Sequence, residues 1–387
     1  MPPSSNKCCL VARTRVPENL PEHIQSLVEL ADRFALETLQ PLSAAVDAGT
    51  RTADDARRAA IAASKEAGIF RMTQPPEFGG TAAGPLAIVA VRETLASHNP
   101  RWLSDMFGPG PGILANSEEP IRSDYLLPTM DGEKLAGFGF TEARDAPHYT
   151  RAKREGETLV VNGQKSYVTR GTEVDFINVL ADIEDEGRAF IIIDSNAPGV
   201  SKERVFGTID GSEHAAFKFD NVRVPQTHMM GVPGEGMRKA MRQIGNTRLT
   251  MAAESAGLIR FVIQFVDAHI RRVEAKAGVN DTTRLRYGEL RIQAYAARST
   301  VYRAAHLADS GANVVNESIA AKAFASETLG RTVDTAIQIV GGGALMNNHP
   351  LATLYRQARS LRVAEGLTDV LNANIARGAL DLNMGTL

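Results

Sequence analysis

The chain has 387 residues, a mass of 41.7 kDa and a formal net charge of −2. That length predicts two or three domains, at about 150 residues each. The near-neutral balance excludes a polyanion-coating protein and gives no electrostatic ground for nucleic-acid binding. With 43% apolar and 23% charged residues, the composition is that of a globular protein able to bury a large core.

In chain order, residues 1–16 read as a loose terminus. From Glu18 to about Gly132 the period is helical. Ile24, Leu27, Leu30, Ala31 and Phe34 form one apolar stripe at i, i+3, i+4 spacing. Arg51–Ala67 and Pro85–Ser97 read as two further helices. Gln74-Pro-Pro-Glu-Phe-Gly-Gly80 and Phe107-Gly-Pro-Gly-Pro-Gly112 are runs of breakers and predict loops. From about Leu135 to Val232 the signals are short strands. Leu159 to Thr169, with Asn162-Gly163 inside it, predicts a hairpin on the favoured Asn-Gly turn. Phe176–Ile183 and Arg188–Asp194 flank an acidic turn that ends in Gly187. Phe217 and Phe219 alternate with polar neighbours.

After Pro233-Gly234 the helical period returns. Leu258, Phe261, Val262, Phe265, Val266, His269 and Val273 make a long amphipathic stripe. Apolar or small residues at 319, 323, 326, 330, 333 and 337 step by 4 and 3 in alternation, as in a helix packed lengthwise on another. The expected organisation is an N-terminal all-α domain (1–132), a central β-barrel-like domain (133–232) and a C-terminal antiparallel four-helix bundle (233–387). Strands do not alternate with helices, which disfavours a doubly wound parallel sheet.

The only cysteines, Cys8 and Cys9, are adjacent, so neither a disulfide framework nor a four-cysteine zinc site is expected. A reducing, cytoplasmic setting follows. The first twenty residues hold no long apolar stretch, and no run approaches 18 apolar residues, so no signal peptide and no membrane span are expected. The eight histidines are scattered and lack a metal-ligand spacing. Gly108, Gly110 and Gly112 mimic part of a dinucleotide fingerprint. However, Pro109 and Pro111 interrupt it and no strand precedes it, so a loop shaping a pocket is the better reading.

Two segments near the C-terminus invite a chemical reading beside a plain one. Gln338-Ile-Val-Gly-Gly-Gly343 ends a striped helix. One glycine suffices for a C-cap, and three also leave the backbone bare for a ligand. Tyr355 to Gly366 sets Glu365 at the end of a basic helix just before a glycine. Alone, Glu365 reads rather as a solvated side chain.

Taken in order, five segments make the chain resemble the acyl-CoA dehydrogenase flavoprotein superfamily, from about residue 18 to 380. They are Phe138-Gly-Phe-Thr141-Glu142, Val161 to Thr169, Phe219 to Pro225, Gln338 to Gly343, and Tyr355 to Gly366. The resemblance implies an FAD-dependent oxidoreductase of lipid metabolism acting on an acyl thioester, with FAD between the β domain and the C-terminal bundle. It assigns Phe138, Phe140 and Thr141 to the flavin, with Thr141 hydrogen-bonded to the ring, and Tyr167 and Thr169 to positions beside the isoalloxazine. Arg271, Gln338, Gly341 and Gly342 match positions reaching the pyrophosphate and adenosine of a neighbouring subunit's cofactor. Arg248 matches a basic residue near the substrate, and Glu365 the catalytic base. No metal is implied. The implied acceptor is electron-transferring flavoprotein, and the implied assembly is a homodimer or homotetramer. A same-fold oxidase or monooxygenase, and a non-catalytic subunit of a heteromeric enzyme, are the alternatives.

The implied chemistry suits these residue types. Desaturating a thioester needs a base for the α-proton and an acceptor for the β-hydride. A carboxylate in a dry pocket has a raised pKa, and the cofactor carries the redox step. The developing enolate is held by hydrogen bonds, in the family from the flavin ribityl chain and the backbone N–H of the base. One such donor is worth about 3 kcal/mol. The chain departs from the family pattern in four places. Thr141-Glu-Ala-Arg-Asp-Ala-Pro147-His148 replaces Thr-Glu-Pro-Gly-Ala-Gly-Ser-Asp, and Pro147 has no N–H to donate. Gly245 replaces an aspartate near the pantetheine arm, Arg271-Arg-Val-Glu-Ala275 replaces Arg-x-x-Phe-Gly, and Gly366-Leu367 replaces Gly-Thr. Some relatives carry the base near 247, which is Thr247 in this chain; Glu254 reads as structural.

Overall fold

The computed structural model describes residues 20–382 and 387, and Cys8, Cys9 and the 1–16 terminus lie outside the described residues. The helical stretch begins with α1 (Glu22–Phe34), which passes through a π-helical turn (Ala35–Leu39) into α2 (Gln40–Asp47). The α1 stripe is the predicted one: Ile24, Ala31 and Phe34 are buried, with Leu27 and Leu30 half-buried beside them. α3 (Ala53–Glu66) and α4 (Pro85–Ala96) follow at the predicted places. α4 starts on a proline, whose missing N–H costs nothing in a first turn. It is buried on nearly every side, so it shows little amphipathic contrast. A short α5 (Leu127–Asp131) ends on Gly132 in the left-handed region (φ 69°).

Eight strands follow: β1 (Ala136–Gly139), β2 (Arg151–Glu155), β3 (Thr158–Thr169), β4 (Phe176–Ile183), β5 (Gly187–Asp194), β6 (Val200–Gly207), β7 (Glu213–Pro225) and β8 (Met229–Met230). They form one sheet in the order β6-β7-β3-β2-β4-β5-β8, with β1 parallel to β4. Five helices complete the described residues: α6 (Gly236–Ala277), α7 (Asp281–Asp309), α8 (Val315–Val340), α9 (Pro350–Leu361) and α10 (Thr368–Leu380).

The Asn-Gly expectation is corrected by the structure. Asn162-Gly163 does not turn the chain; β3 runs straight through it, and the β2–β3 turn lies at Gly156 (φ 59°). The β3–β7 register shifts between Val161 and Gly163, so the pair marks a bulge. Gly163 is required there: its φ is 147°, and a Cβ would lie 2.5 Å from the Thr150 Cα. Asn162 is spent sideways, its Oδ1 accepting from the Asn221 N–H at 2.9 Å.

Packing divides the chain into two compact units that do not follow chain order. The first takes Met1–Ala63, Gly84–Leu103 and Arg248–Leu387; the second takes Ser64–Ala83 and Ser104–Thr247. In the second unit the strand period of two sorts side chains to opposite faces. Ile177, Val179, Ala181 and Ile183 of β4 join Phe217, Phe219 and Val222 in a core enclosed by the sheet. Phe176 and Leu180 of the same strand face Tyr125, Leu126, Met130 and Ile113 instead. With both faces covered, β4 is a nearly continuous apolar run.

The first unit is a set of long helices tied together by buried charge. Glu93 of α4 is 0% exposed. Its carboxylate accepts from Arg298 Nε (2.5 Å) and the Tyr302 hydroxyl (2.7 Å) of α7, with Arg260 Nη1 of α6 at 3.5 Å. Burial pushes the Glu93 carboxyl up, and Arg260, Arg298 and Tyr302 together bring it below the ordinary glutamate range. Glu254, read as structural, is buried beside Arg92 (3.8 Å) and Gln357. The apolar stretch of α6 is long enough to cross a membrane, yet 67% of it is buried inside the protein.

Candidate active site

In the second unit, β1 leads into Phe140 and Thr141. Phe138 and Phe140 stack nearly parallel, with ring centroids 5.8 Å apart, and Phe138 also meets Phe190 at 5.9 Å. The Ser166 N–H donates to the Thr141 carbonyl at 2.8 Å, which ties this segment to the far end of β3. Beneath the junction Lys165, 2% exposed, meets Glu142 at 2.5 Å, and Glu142 also accepts from the Thr150 N–H at 3.0 Å. Burial pulls the Lys165 ammonium down, against the pull of Glu142 upward.

A second bulge, between Lys165 and Val168, throws Tyr167 outward. Tyr167 has φ 57°, a region costly for a side chain of that size, and the residue is 57% exposed. Phe206 supports it edge-on at 5.3 Å, with His214 at 6.5 Å. Thr169 is exposed at the strand end. Thr141, Tyr167 and Thr169 thus present two hydroxyls and a ring, none of which bonds to protein among the described residues. The 143–148 loop walls a cavity of about 620 Å³ that Phe140, Thr141, Asp182 and Arg188 also line, whereas Tyr167 and Thr169 lie outside its lining. The Arg188 guanidinium lies over the Tyr149 ring at 5.0 Å.

In the first unit, α9 ends at Leu361 and a tight turn leads to α10. Glu365 sits in that turn with φ 54°, followed by Gly366 with φ 121°. Only glycine accepts φ 121° readily, and a Cβ there would lie 2.9 Å from Leu371 Cδ2. Glu365 is half-buried, and its carboxylate has no hydrogen bond or ion pair among the described residues. Burial pushes its carboxyl up, partly opposed by Arg248 and Lys322. Arg248 Nε donates to the Glu365 carbonyl at 3.1 Å, so these two sequence candidates are brought together.

The remaining candidates lie elsewhere on this unit. Gln338 is exposed on the last turn of α8, and Gly341 (φ 88°) and Gly342 follow it, with open space where a Cβ would stand. Arg271 on α6 is 74% exposed and paired with Asp267 one turn away, at 2.8 Å. Sequence reasoning missed Lys322. Its signal was present: a lysine inside the run Ala320-Ala-Lys-Ala323, three residues after Ile319 on the buried face of α8.

The residues present fit a flavin at the second unit. Exposed hydroxyls with no internal partner (Thr141, Thr169) stand on the same segment pair as an aromatic ring held outward by a strained backbone, and Thr141 also lines the cavity walled by the 143–148 loop. Its departure from the family pattern is the loss of one donor at Pro147.

Comparison with known proteins agrees. The family model described as acyl-CoA dehydrogenase, N-terminal domain, matches residues 21–133, and the C-terminal domain model matches residues 234–380. An acyl-CoA dehydrogenase of Bacillus subtilis is 28% identical over 330 residues, covering 80% of this chain and 86% of its own. A 3-(aryl)acrylate reductase of Clostridium sporogenes is 27% identical over 381 residues, covering 93% and 99%. The butyryl-CoA dehydrogenase structure of Megasphaera elsdenii, 22% identical, shares the fold with a TM-score of 0.78 over 94% of this chain and 99% of its own. With both helical domains matched on either side of the sheet, the chain belongs to the acyl-CoA dehydrogenase family of FAD-dependent oxidoreductases.

Proposed function

We propose that the protein is an acyl-thioester α,β-dehydrogenase in which Glu365 removes the α-proton. The observation that carries this is the state of Glu365: half-buried, raised in pKa, without a hydrogen-bond partner for its carboxylate, and held in a turn that only a following glycine permits. A carboxylate without a partner keeps its lone pairs for a proton, and burial makes it more basic than glutamate in water. Its backbone N–H has no acceptor among the described residues and is free to donate to the thioester oxygen. FAD, when bound, supplies the acceptor for the β-hydride. Thr141 would hold the flavin ring by its hydroxyl, Phe138, Phe140 and Tyr167 would bound it, and Thr169 would donate at its edge. Arg271, Gln338, Gly341 and Gly342 would reach the cofactor of a neighbouring subunit. Arg248 would orient Glu365 through its carbonyl and face the substrate.

Anaerobic mixing of the flavin-loaded protein with a panel of short-, medium- and long-chain acyl-CoA thioesters should bleach the flavin. Glu365→Gln should slow bleaching at least about 1,000-fold, as loss of a general base does. No bleaching by any thioester would sink the dehydrogenase reading, and bleaching of the variant at the parental rate would sink the base assignment.

A second reading, a same-fold oxidase or monooxygenase, is favoured by Pro147, which removes a donor beside the cavity. It expects hydrogen peroxide, or turnover without a thioester, in aerated solution. The main reading also takes electron-transferring flavoprotein as acceptor and the cytoplasm as location. Rapid reoxidation of the bleached protein by that flavoprotein, and recovery in the soluble fraction of cells, check these two points.

A further inference from the structure

A buried ammonium on a neighbouring helix grips the turn that carries Glu365. Lys322 of α8 is 0% exposed. Its Nζ donates to the Gly366 carbonyl at 2.8 Å and to the Arg362 carbonyl at 3.2 Å. These carbonyls bracket Glu365, one three residues before it and one directly after it. From α6, Arg248 Nε holds the carbonyl between them. Further along α8, Glu327 accepts from the Thr368 hydroxyl (2.8 Å) and pairs with Arg362 Nη2 (2.8 Å), closing the outer side of the same turn.

Burying an ammonium costs several kcal/mol, and an apolar side chain would fill the space on α8 at less cost. An apolar side chain would also leave two carbonyls unsatisfied and the left-handed Glu365 without support. We propose that Lys322 is the positioning residue of the base, fixing the Arg362 and Gly366 carbonyls so that the Glu365 carboxylate and backbone N–H keep the orientation that α-proton removal requires. The inference rests on the reading of Glu365 as the base. The charged groups around the ammonium are Arg248, Glu365, Glu327 and Arg362. Burial and Arg248 bring Lys322 down to about 8, which leaves it mostly cationic at neutral pH. As a cation it also opposes the burial of the Glu365 carboxylate.

The test is stopped-flow bleaching of flavin-loaded Lys322→Met, using the acyl-CoA of the panel that bleaches the parent fastest. The limiting rate should fall about 100-fold, the cost typical of a catalytic group misplaced by about 1 Å. The half-saturating thioester concentration should stay as in the parent. The limb of the rate–pH profile assigned to Glu365 should move up by about one unit, because a nearby cation is gone. Lys322→Arg, which keeps the charge but not the reach, should return the limb to its parental position with only part of the rate. A merely structural lysine would lower flavin content or the melting temperature and leave the rate and limb of the loaded fraction unchanged. That outcome overturns the proposal. If Lys322→Met gives no flavin-loaded protein, Lys322→Gln, which keeps one donor, is read in the same way. Glu365→Gln in parallel separates the two claims. Parental bleaching in that variant overturns the base and this inference together, whereas a dead Glu365→Gln beside a parental Lys322→Met overturns the positioning role alone.

Discussion

Glu365 carries a conflict that a solvated glutamate would not. Burial holds its carboxyl above the ordinary glutamate value, so the folded chain binds more protons than the unfolded chain across the interval between the two. In that interval stability falls as pH rises, while bleaching accelerates as the base ionises. The rate–pH limb should therefore lie above the ordinary value of about 4.3. Glu365→Gln, neutral throughout, should melt at or up to about 2 °C above the parent at pH 7 while losing activity. A clear loss of melting temperature in that variant would show that the ionised carboxylate stabilises the fold. Glu365 was legible in sequence as a candidate only through the family resemblance of Tyr355 to Gly366, since a carboxylate before a glycine at a helix end reads by itself as solvated. Its partners were not, since Arg248 is 117 residues away and Lys322 is 43.

At the scale of elements, the helices were legible where one face is apolar. The α1 stripe and the 3/4 stepping of α8 appear in the structure as buried faces. The β2–β3–β7 region was harder. Asn-Gly is a strong turn signal in isolation, yet pairing with β7 over the length of β3 outweighs it, and the glycine becomes a bulge pressed against Thr150. β6 escaped notice because its solvent-facing residues give no apolar alternation. The tie among α4, α6 and α7 is likewise tertiary. Arg298→Met should leave Glu93 buried with Arg260 and Tyr302 only, and cost about 3 kcal/mol. Chemical denaturation should record that loss as a lower midpoint, and an unchanged midpoint would mean that Arg260 alone satisfies the carboxylate.

For the whole molecule, the proposal that cofactor contacts come from two subunits requires self-association. Light scattering after size exclusion should give two or four times the 41.7 kDa chain mass, and a monomer that retains flavin would contradict it. The sequence by itself determined the α–β–α order, the family and the identity of the chemical groups. Periodicity and residue type are local properties, and five short segments kept in order carry the resemblance. Only the tertiary structure decided how the groups are held. It placed Lys322 on two carbonyls of a turn distant in sequence, paired the exposed Arg271 with Asp267, and brought residues 84–103 into the same unit as α7 and residues 248–277 of α6. Hydrogen-bond geometry and burial depend on which distant segments fold together, and no short window of sequence holds that information.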